Sequence, residues 1–294
     1  MAILTPQQQR DFDRDGFLLV EDAVDTVQLA ALRRDFAGWV EESRSHAAAY
    51  GEMIDGRPRF DLEGGHHAER PALRRVNSPQ EVSAAYADVM SASRMTGIVA
   101  DLIGPNVRFH HAKINSKLPG AATAVKWHQD FAFTPHSNDD LCTALLFVDD
   151  VTDENGPLEV LPGSHRGEIF SLWHDGKFTG AIDDAVAAQA QAKSLRCTGR
   201  AGSVCLMHTR LLHGSAPNRS ARPRTLYICV YSAEDAWPLS PNPVPSRLAG
   251  AIVAGVATGR ARSMPFELQL PLVPKTASFF NQQVGIDRQA SYDG

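Results

Sequence analysis

Trp127-His128-Gln129-Asp130 holds two metal-binding residue types separated by a single residue. On an extended strand, side chains at positions i and i+2 point to the same face, so His128 and Asp130 can converge on one ion. A carboxylate and two imidazoles on one face of an octahedron are the ligands of non-haem iron(II) oxygenases, and they leave three positions open. Two of these can chelate a 2-oxo acid and the third can take O2. A lone His-x-Asp tripeptide is common by chance, so the assignment depends on a second imidazole.

Two histidines further along the chain, His208 and His213, could supply that imidazole. His213 ends an apolar segment and precedes Gly214, a place where a ligand can project from the end of a strand. His208 is better explained as a hydrogen-bonded histidine beside the site, because buried polar groups normally have a partner. The sequence therefore predicts a metal site formed by His128, Asp130 and His213.

An arginine after the second imidazole could hold the co-substrate. A 2-oxo acid such as 2-oxoglutarate has a distal carboxylate that must be paired once it leaves water. Arg224 begins a strand-like segment, and its planar guanidinium can donate two parallel hydrogen bonds to a carboxylate. We expect Arg224 to bind this carboxylate, whereas Arg219 and Arg222 are typical of solvated loop charges.

The candidate residues lie in a part of the chain with short segments rich in β-branched and apolar residues. Glycine and proline turns separate these segments, and such spacing predicts an antiparallel sandwich or barrel. The segments are residues 107–118, 141–148, 158–161, 204–207 and 225–231.

Two helices are predicted before this β-rich part. Residues 26–43 have apolar side chains at helical spacing, with Asp25 or Thr26 as the cap. Ser78-Pro79-Gln80-Glu81 matches a capping box and predicts a second helix to about Leu102.

We expect one domain over residues 1–294. Its helical part covers about 1–106, the β-rich core about 107–235 with an insertion at 165–200, and a carboxyl-terminal extension 236–294. Within the insertion, residues 181–193 are expected to be helical.

Composition excludes several classes of partner. The formal charge is −5, from 29 Lys and Arg against 34 Asp and Glu, and no basic run predicts nucleic-acid binding. The most apolar stretch, residues 248–257, is about half the roughly 20 residues that a spanning helix needs, so no membrane association is expected. We see no secretory signal, and the four cysteines have no CxxC spacing. A reducing, cytoplasmic location is therefore predicted. Nothing in the sequence indicates the oligomeric state.

Four segments in order resemble the phytanoyl-CoA dioxygenase family of iron(II)/2-oxoglutarate oxygenases: GPN at 104–106, WHQD at 127–130, ENGPLEVLPGSHRG at 154–167 and LLHGSAPNRSARPR at 211–224. The resemblance implies a mainly β fold, with a double-stranded β-helix (a jelly-roll, cupin-like core) and amino-terminal helices. It implies Fe(II), 2-oxoglutarate and O2 as cofactor and co-substrates. Iron ligands fall at His128, Asp130 and His213, and Arg224 binds the co-substrate carboxylate. Gln129 and Asn115 match positions near the co-substrate.

The carboxylate at position 130 bears on the type of reaction. Halogenating relatives replace it with a small residue, so Asp130 favours hydroxylation of a C–H bond in a small metabolite, with release of succinate and CO2. Desaturation, epoxidation or cyclisation would use the same oxidant, and an acyl-CoA is an alternative substrate. A zinc-dependent hydrolase and a catalytically inactive cupin-like binding protein are alternatives of other classes.

Few features of the sequence indicate what the substrate is. The polar stretch 57–67 could fold over the mouth of the pocket or form a surface loop. Arg74 and Arg75 could meet an anionic substrate, although a solvated pair at the entry to a helix is the preferred interpretation.

Overall fold

A computed structural model describes residues 2–120 and 124–272. The helices and strands of this part of the chain, in order, are α1 Pro6–Asp15, β1 Phe17–Val20, α2 Thr26–Ser43, β2 Tyr50–Ile54, β3 Arg57–Leu62, β4 Leu73–Asn77, α3 Ala84–Ala92, α4 Arg94–Ile103, β5 Val107–Lys117, β6 Val125–His128, β7 Leu141–Phe147, β8 Leu158–Val160, β9 Trp173–His174, β10 Lys177–Phe178, α5 Asp184–Ala192, β11 Leu195–Cys197, β12 Val204–His208, β13 His213–Ser215, β14 Arg224–Ala233 and β15 Ile252–Ala254.

The described strands form two antiparallel sheets and a short hairpin, β9–β10. The larger sheet has the order β1-β12-β7-β14-β5-β4-β3-β2, and β15 also pairs with β5. The smaller sheet has the order β11-β8-β13-β6. The five strand segments predicted from the sequence correspond to β5, β7, β8, β12 and β14. The predicted mainly β fold with a double-stranded β-helix core and amino-terminal helices is confirmed.

Two hydrophobic clusters lie on opposite faces of the larger sheet. One joins the sheet to the helices and includes Tyr227 of β14, packed edge-on against Tyr86 of α3 with ring centroids 4.8 Å apart. The other fills the space between the two sheets and includes Leu226 and Ile228 of β14. Because side chains alternate along a strand, one strand supplies both clusters. The space between the sheets is where the polar site residues also lie.

Helix α2 begins where the sequence predicts. The Asp25 side chain accepts a hydrogen bond from the Gln28 backbone N–H, and the Gln28 side chain accepts one from the Asp25 backbone, which completes a capping box. None of the described helices is long and apolar enough to cross a membrane. All four cysteines are buried and free of disulfide bonds.

The second predicted helix was wrong in its start and its continuity. Ser78 has a left-handed backbone conformation and makes no side-chain capping bond. Glu81, the expected partner in the capping box, instead accepts hydrogen bonds from Arg59 and Ser246. The chain makes a 3-10 turn over Pro79–Glu81 and then two helices, α3 and α4, which meet at the extended residue Ser93.

The first 106 residues are not only helical. They also contribute β1 to one edge of the larger sheet and β2, β3 and β4 to its other end. In the predicted insertion, α5 begins after Asp183, whose carboxylate caps the backbone N–H groups of Ala185 and Val186. The division into one domain with these boundaries stays a prediction, and the extension beyond residue 272 lies outside the described residues.

Candidate metal centre

The three predicted ligands meet at the edge of the smaller sheet. His128 ends β6 and His213 begins β13, and the two are direct partners across this strand pair, with ring centroids 4.1 Å apart. Oδ1 of Asp130 lies 3.5 Å from Nε2 of His128 and 3.6 Å from Nε2 of His213. The three ligand atoms all lie within 4.8 Å of one another, and no other such group was found among residues 2–120 and 124–272. This donor set fits iron(II).

Asp130 does not lie on a strand, which corrects the geometric argument from the sequence. It begins a 3-10 turn over Asp130–Ala132, directly after β6. The turn is held by the Phe131 backbone N–H, which donates to the Thr209 carbonyl at 2.8 Å. The carboxylate therefore reaches the imidazoles because the chain turns after residue 129, rather than because strand side chains alternate.

Hydrogen bonds orient both imidazoles. Nδ1 of His128 donates to the Lys126 carbonyl at 2.7 Å, and Nδ1 of His213 donates to the Leu211 carbonyl at 3.0 Å. A carbonyl can only accept, so Nδ1 of each ring carries a proton, and Nε2 is the nitrogen that can bind a metal. This arrangement is typical of metal-bound histidines.

Titration behaviour also suits a metal site. Burial, followed by the neighbouring His128, lowers the pKa of His213 to about 4. Burial alone would raise the pKa of Asp130, but His213 and His128 hold it below its ordinary value. At neutral pH the imidazole of His213 is therefore neutral and the carboxylate is ionised, which are the forms that bind a metal.

Thr143 on β7 fixes the second carboxylate oxygen. Its Oγ1 donates to Oδ2 of Asp130 at 2.7 Å, so Oδ1 is the atom turned towards the imidazoles. We expect Thr143→Val to weaken iron(II) binding about 10-fold or more, as is usual for a residue that orients a ligand. Anaerobic iron titration measures this change.

The matched control is Thr225→Val on the adjacent strand. Thr225 is also buried, but its hydroxyl bonds to Ser116 at 3.1 Å and does not line the site. Equal iron affinities in the two variants would show that the Thr143 hydroxyl does not orient the carboxylate.

Two cavities meet at the triad, and His128 and Asp130 line both. We call them the Arg224 lobe and the Arg75 lobe. The Arg224 lobe is also lined by Lys113, Asn115, Lys117, Val125, Thr143, Leu145, Leu158, Met207, His213, Ser215, Arg224, Leu226 and Ile228. The Arg75 lobe is also lined by Arg57, Arg75, His111, Lys113, Phe133, Thr134, Ile228, Val230, Pro243 and Val244.

Arg224 lies at the base of its lobe and is only 3% exposed. One terminal nitrogen donates to the carbonyl of Gly156, a residue with a φ of +76° that brings this carbonyl to the guanidinium. Nε of Arg224 is buried without a hydrogen-bond partner, as is Oδ1 of Asn115. Burial lowers the pKa of Arg224 to about 10, so it stays charged at neutral pH. A buried cation with an unused donor fits the carboxylate of a 2-oxo acid.

Lys117, which the sequence argument overlooked, also lines the Arg224 lobe. Its Nζ donates to Ser215 Oγ at 2.7 Å and to the Ala216 carbonyl. Burial lowers its pKa to about 6, with Arg224 as the next cause. The missed signal was the alternation in 111–117, HAKINSK, which places polar side chains every second residue on one face of β5.

The structure separates the two residues expected near the co-substrate. Asn115 lines the Arg224 lobe, but Gln129 does not. The Gln129 amide donates to the carbonyls of Glu168 and Arg210 and accepts from the backbone N–H of Phe170. Its side chain thus ties the segment between His128 and Asp130 to neighbouring backbone. The expected role of Gln129 near the co-substrate is therefore not supported.

Substitutions at these two positions should have different effects. Gln129→Leu leaves backbone groups buried without partners, so we expect it to lower the free energy of unfolding by about 1–3 kcal/mol. Asn115→Leu removes a group that faces the lobe, so we expect it to raise the Kd for 2-oxoglutarate by roughly 2- to 10-fold. Thermal unfolding and 2-oxoglutarate titration of both variants test this. A raised Kd with unchanged stability in Gln129→Leu would reverse the assignment.

His208 lies outside the triad. Its Nδ1 accepts a hydrogen bond from the Arg210 backbone at 3.1 Å, and its ring centroid is 5.2 Å from that of His165. Arg74 and Arg75 are not at the entry to a helix but on β4, and Arg75 is buried in the Arg75 lobe. The stretch 57–67 begins with β3, whose first residue, Arg57, lines the same lobe.

Comparison with known proteins agrees with this site. The family model described as phytanoyl-CoA dioxygenase (PhyH) matches residues 12–226. A probable alpha-ketoglutarate-dependent hypophosphite dioxygenase of Stutzerimonas stutzeri is 31% identical over 286 residues, which cover 95% of each chain. The L-proline trans-4-hydroxylase of Streptomyces griseoviridis is 30% identical over 250 residues, or 78% of this chain and 87% of that protein.

A solved structure shares the fold. The crystal structure of EctD from S. alaskensis with 2-oxoglutarate and 5-hydroxyectoine has a TM-score of 0.65 and 23% identity, covering 90% of this chain and 89% of that one. The family match extends over most of the chain, and His128, Asp130 and His213 form a group that could hold a metal ion. The chain therefore belongs to the phytanoyl-CoA dioxygenase family and is an iron(II)- and 2-oxoglutarate-dependent dioxygenase that uses O2.

Proposed function

We propose that the protein hydroxylates a small molecule bound in the Arg75 lobe, while 2-oxoglutarate occupies the Arg224 lobe. His128, Asp130 and His213 hold the iron in this proposal. The observation that carries it is the position of the triad, because His128 and Asp130 line both cavities. One lobe can then hold the co-substrate while the other presents the substrate to the same metal.

The residues of the chain supply binding, orientation and exclusion of water. Iron(II) with bound 2-oxoglutarate and O2 supplies the oxidising chemistry and releases succinate and CO2. Arg224 pairs with the distal carboxylate of 2-oxoglutarate, and Lys117 contributes a second donor at the same end of the lobe. Leu145, Leu158 and Leu226 form apolar walls around the co-substrate. These walls exclude water and strengthen the ion pair.

A small substrate is favoured over an acyl-CoA. The relatives above are named for hypophosphite and for proline, and both compounds are small. The apolar residues Phe133, Pro243 and Val244 narrow the Arg75 lobe. Hypophosphite is the first compound to test, because the relative named for it matches nearly the whole chain. If hypophosphite is the substrate, the enzyme would hydroxylate a P–H bond, rather than a C–H bond, to give a P–OH group.

The test begins with anaerobic titration by iron(II) and 2-oxoglutarate. We expect a visible charge-transfer band, since the 2-oxo acid chelates the metal. Glutarate, which lacks the 2-oxo group, should produce no band. In air, succinate formation should then depend on the correct member of a panel of small metabolites that includes hypophosphite. Absence of both the band and succinate would disprove the proposal.

A further inference from the structure

The Arg75 lobe contains more positive charge than the metal site alone explains. Arg57, Arg75 and Lys113 all line it, and Asp130 is the one carboxylate in its described lining. Asp130 faces the imidazoles of the triad, so its charge is assigned to the metal. With the metal bound, the lobe would hold a divalent cation and three basic side chains.

These basic groups are held in place by the larger sheet. Arg57 begins β3, Arg75 lies on β4 and Lys113 on β5, and these three strands are consecutive neighbours. Nε of Arg75 donates to Asn77 Oδ1 at 2.9 Å, and Nη2 of Arg57 donates to the Pro243 carbonyl at 2.5 Å. Side chains that project from paired strands are more precisely positioned than those of a loop.

The arrangement is electrostatically costly without an anion. Arg75 is only 6% exposed, and burial lowers its pKa to about 10, with repulsion from Arg57 as the next cause. Nε of Arg57 is buried and has no hydrogen-bond partner. The adjacent residue Arg74 behaves differently, because it forms ion pairs with Asp61 at 2.8 Å and with Glu63 at 3.5 Å. Asp61 offsets the burial of Arg57 and Arg75 only in part, because the pKa of both arginines is still lowered, so an anionic ligand in the lobe would stabilise their charged forms.

We infer that the substrate carries an oxyanion, of the carboxylate, phosphonate or phosphinate type, that binds to Arg57, Arg75 and Lys113. This inference rests on the proposed function and names the substrate class. The anion site borders the triad, so the bond to be oxidised lies close to the anionic group. Apolar side chains such as Phe133, Val230 and Val244 share the remaining lining with the polar residues His111 and Thr134.

Binding of simple probes tests the inference without turnover. The protein is loaded anaerobically with iron(II) and 2-oxoglutarate and then titrated by calorimetry with ethylphosphonate, propionate, inorganic phosphite and propionamide. We expect at least one anion to bind ten times more tightly than neutral propionamide and to shift the charge-transfer band. Ethylphosphonate or propionate binding indicates an organic acid, and binding of phosphite alone indicates an inorganic oxyanion. Either result supports the inference.

Variants locate the anion. Arg75→Met and Arg57→Met should each weaken binding of that anion at least tenfold and leave the Kd for 2-oxoglutarate within about twofold. The matched control, Arg74→Met, lies on the same strand but does not line the lobe, and it should bind the anion like the unmodified protein.

Two results would overturn the inference. In one, no anion binds better than propionamide. In the other, the anion competes with 2-oxoglutarate, which would place it at Arg224. A normal charge-transfer band in these experiments would leave the proposed function intact, whereas absence of the band would contradict the proposed function itself.

Discussion

Replacing Asp130 with alanine is expected to lower iron(II) affinity by more than about 100-fold and to abolish substrate-dependent succinate formation. The expected loss of affinity exceeds that usual for residues that only orient a ligand, because Asp130 is the anionic ligand in the proposed site. Its removal also leaves no carboxylate among the described residues that line the Arg75 lobe. Iron(II) would then have only two imidazole ligands from the triad, and the nearby basic side chains would repel it. Anaerobic iron titration and succinate assays measure the two effects.

Asp139→Ala is the matched control for this experiment. The Asp139 side chain has a similar exposure, 20% against 23% for Asp130, but it pairs with Arg210 at 2.8 Å. We expect that variant to lose stability while it keeps its iron affinity. Substrate-dependent turnover by Asp130→Ala at close to the original rate would contradict the assignment of Asp130 as a ligand.

The sequence predicted the parts of the site that depend on strand periodicity. His128 lies on a short strand as expected, whereas His213 begins β13 instead of ending a strand, and the pairing of β13 with β6 brings the two rings together. Arg224 was predicted from its planar guanidinium at the start of a strand-like segment and from the family resemblance, and the strand β14 does begin at Arg224. For His128 and Arg224 the local pattern and the tertiary structure agree, because alternation determines which side chains face the space between the sheets.

Other features of the site could not be predicted from the local sequence pattern. Asp130 reaches the triad through a turn that depends on backbone contacts to residues 168–170 and 209–210, which are distant in sequence. Gln129 belongs to those contacts, so its position between two ligands suggested a role near the co-substrate that the structure does not support.

The environments of Ser78 and Arg75 also depend on residues that local sequence pattern does not reveal. Ser78-Pro79-Gln80-Glu81 matches the sequence of a capping box, but the Glu81 carboxylate instead accepts a hydrogen bond from the buried Arg59. Arg75 was interpreted as a solvated charge because arginines usually are exposed. Only the pairing of β4 with β5, which aligns Arg75 with Asn115, shows that Arg75 belongs to the interior.

Arg224→Leu should raise the Kd for 2-oxoglutarate by roughly 30- to several thousand-fold, equivalent to about 2–5 kcal/mol for the loss of one partner of a buried charge pair. The guanidinium is buried, charged at neutral pH and has an unused Nε donor, so its removal would leave the distal carboxylate of 2-oxoglutarate buried without its ion-pair partner. Arg224→Lys keeps the charge but loses the planar fork. Its Kd for 2-oxoglutarate should therefore fall between the values of the unmodified protein and of Arg224→Leu. The charge-transfer band, titrated anaerobically with iron(II) present, measures each Kd.

A 2-oxo acid without a distal carboxylate separates the ion pair from damage to the metal site. With 2-oxobutanoate, the Arg224→Leu variant and the unmodified protein should have similar Kd values, because the contact removed by the substitution is absent from both complexes. Arg222→Leu is the matched control, since this exposed arginine lies two residues earlier and outside the lobe. It should bind 2-oxoglutarate normally. Equal losses of 2-oxobutanoate and 2-oxoglutarate binding in Arg224→Leu would assign Arg224 to the integrity of the metal site instead of the co-substrate carboxylate.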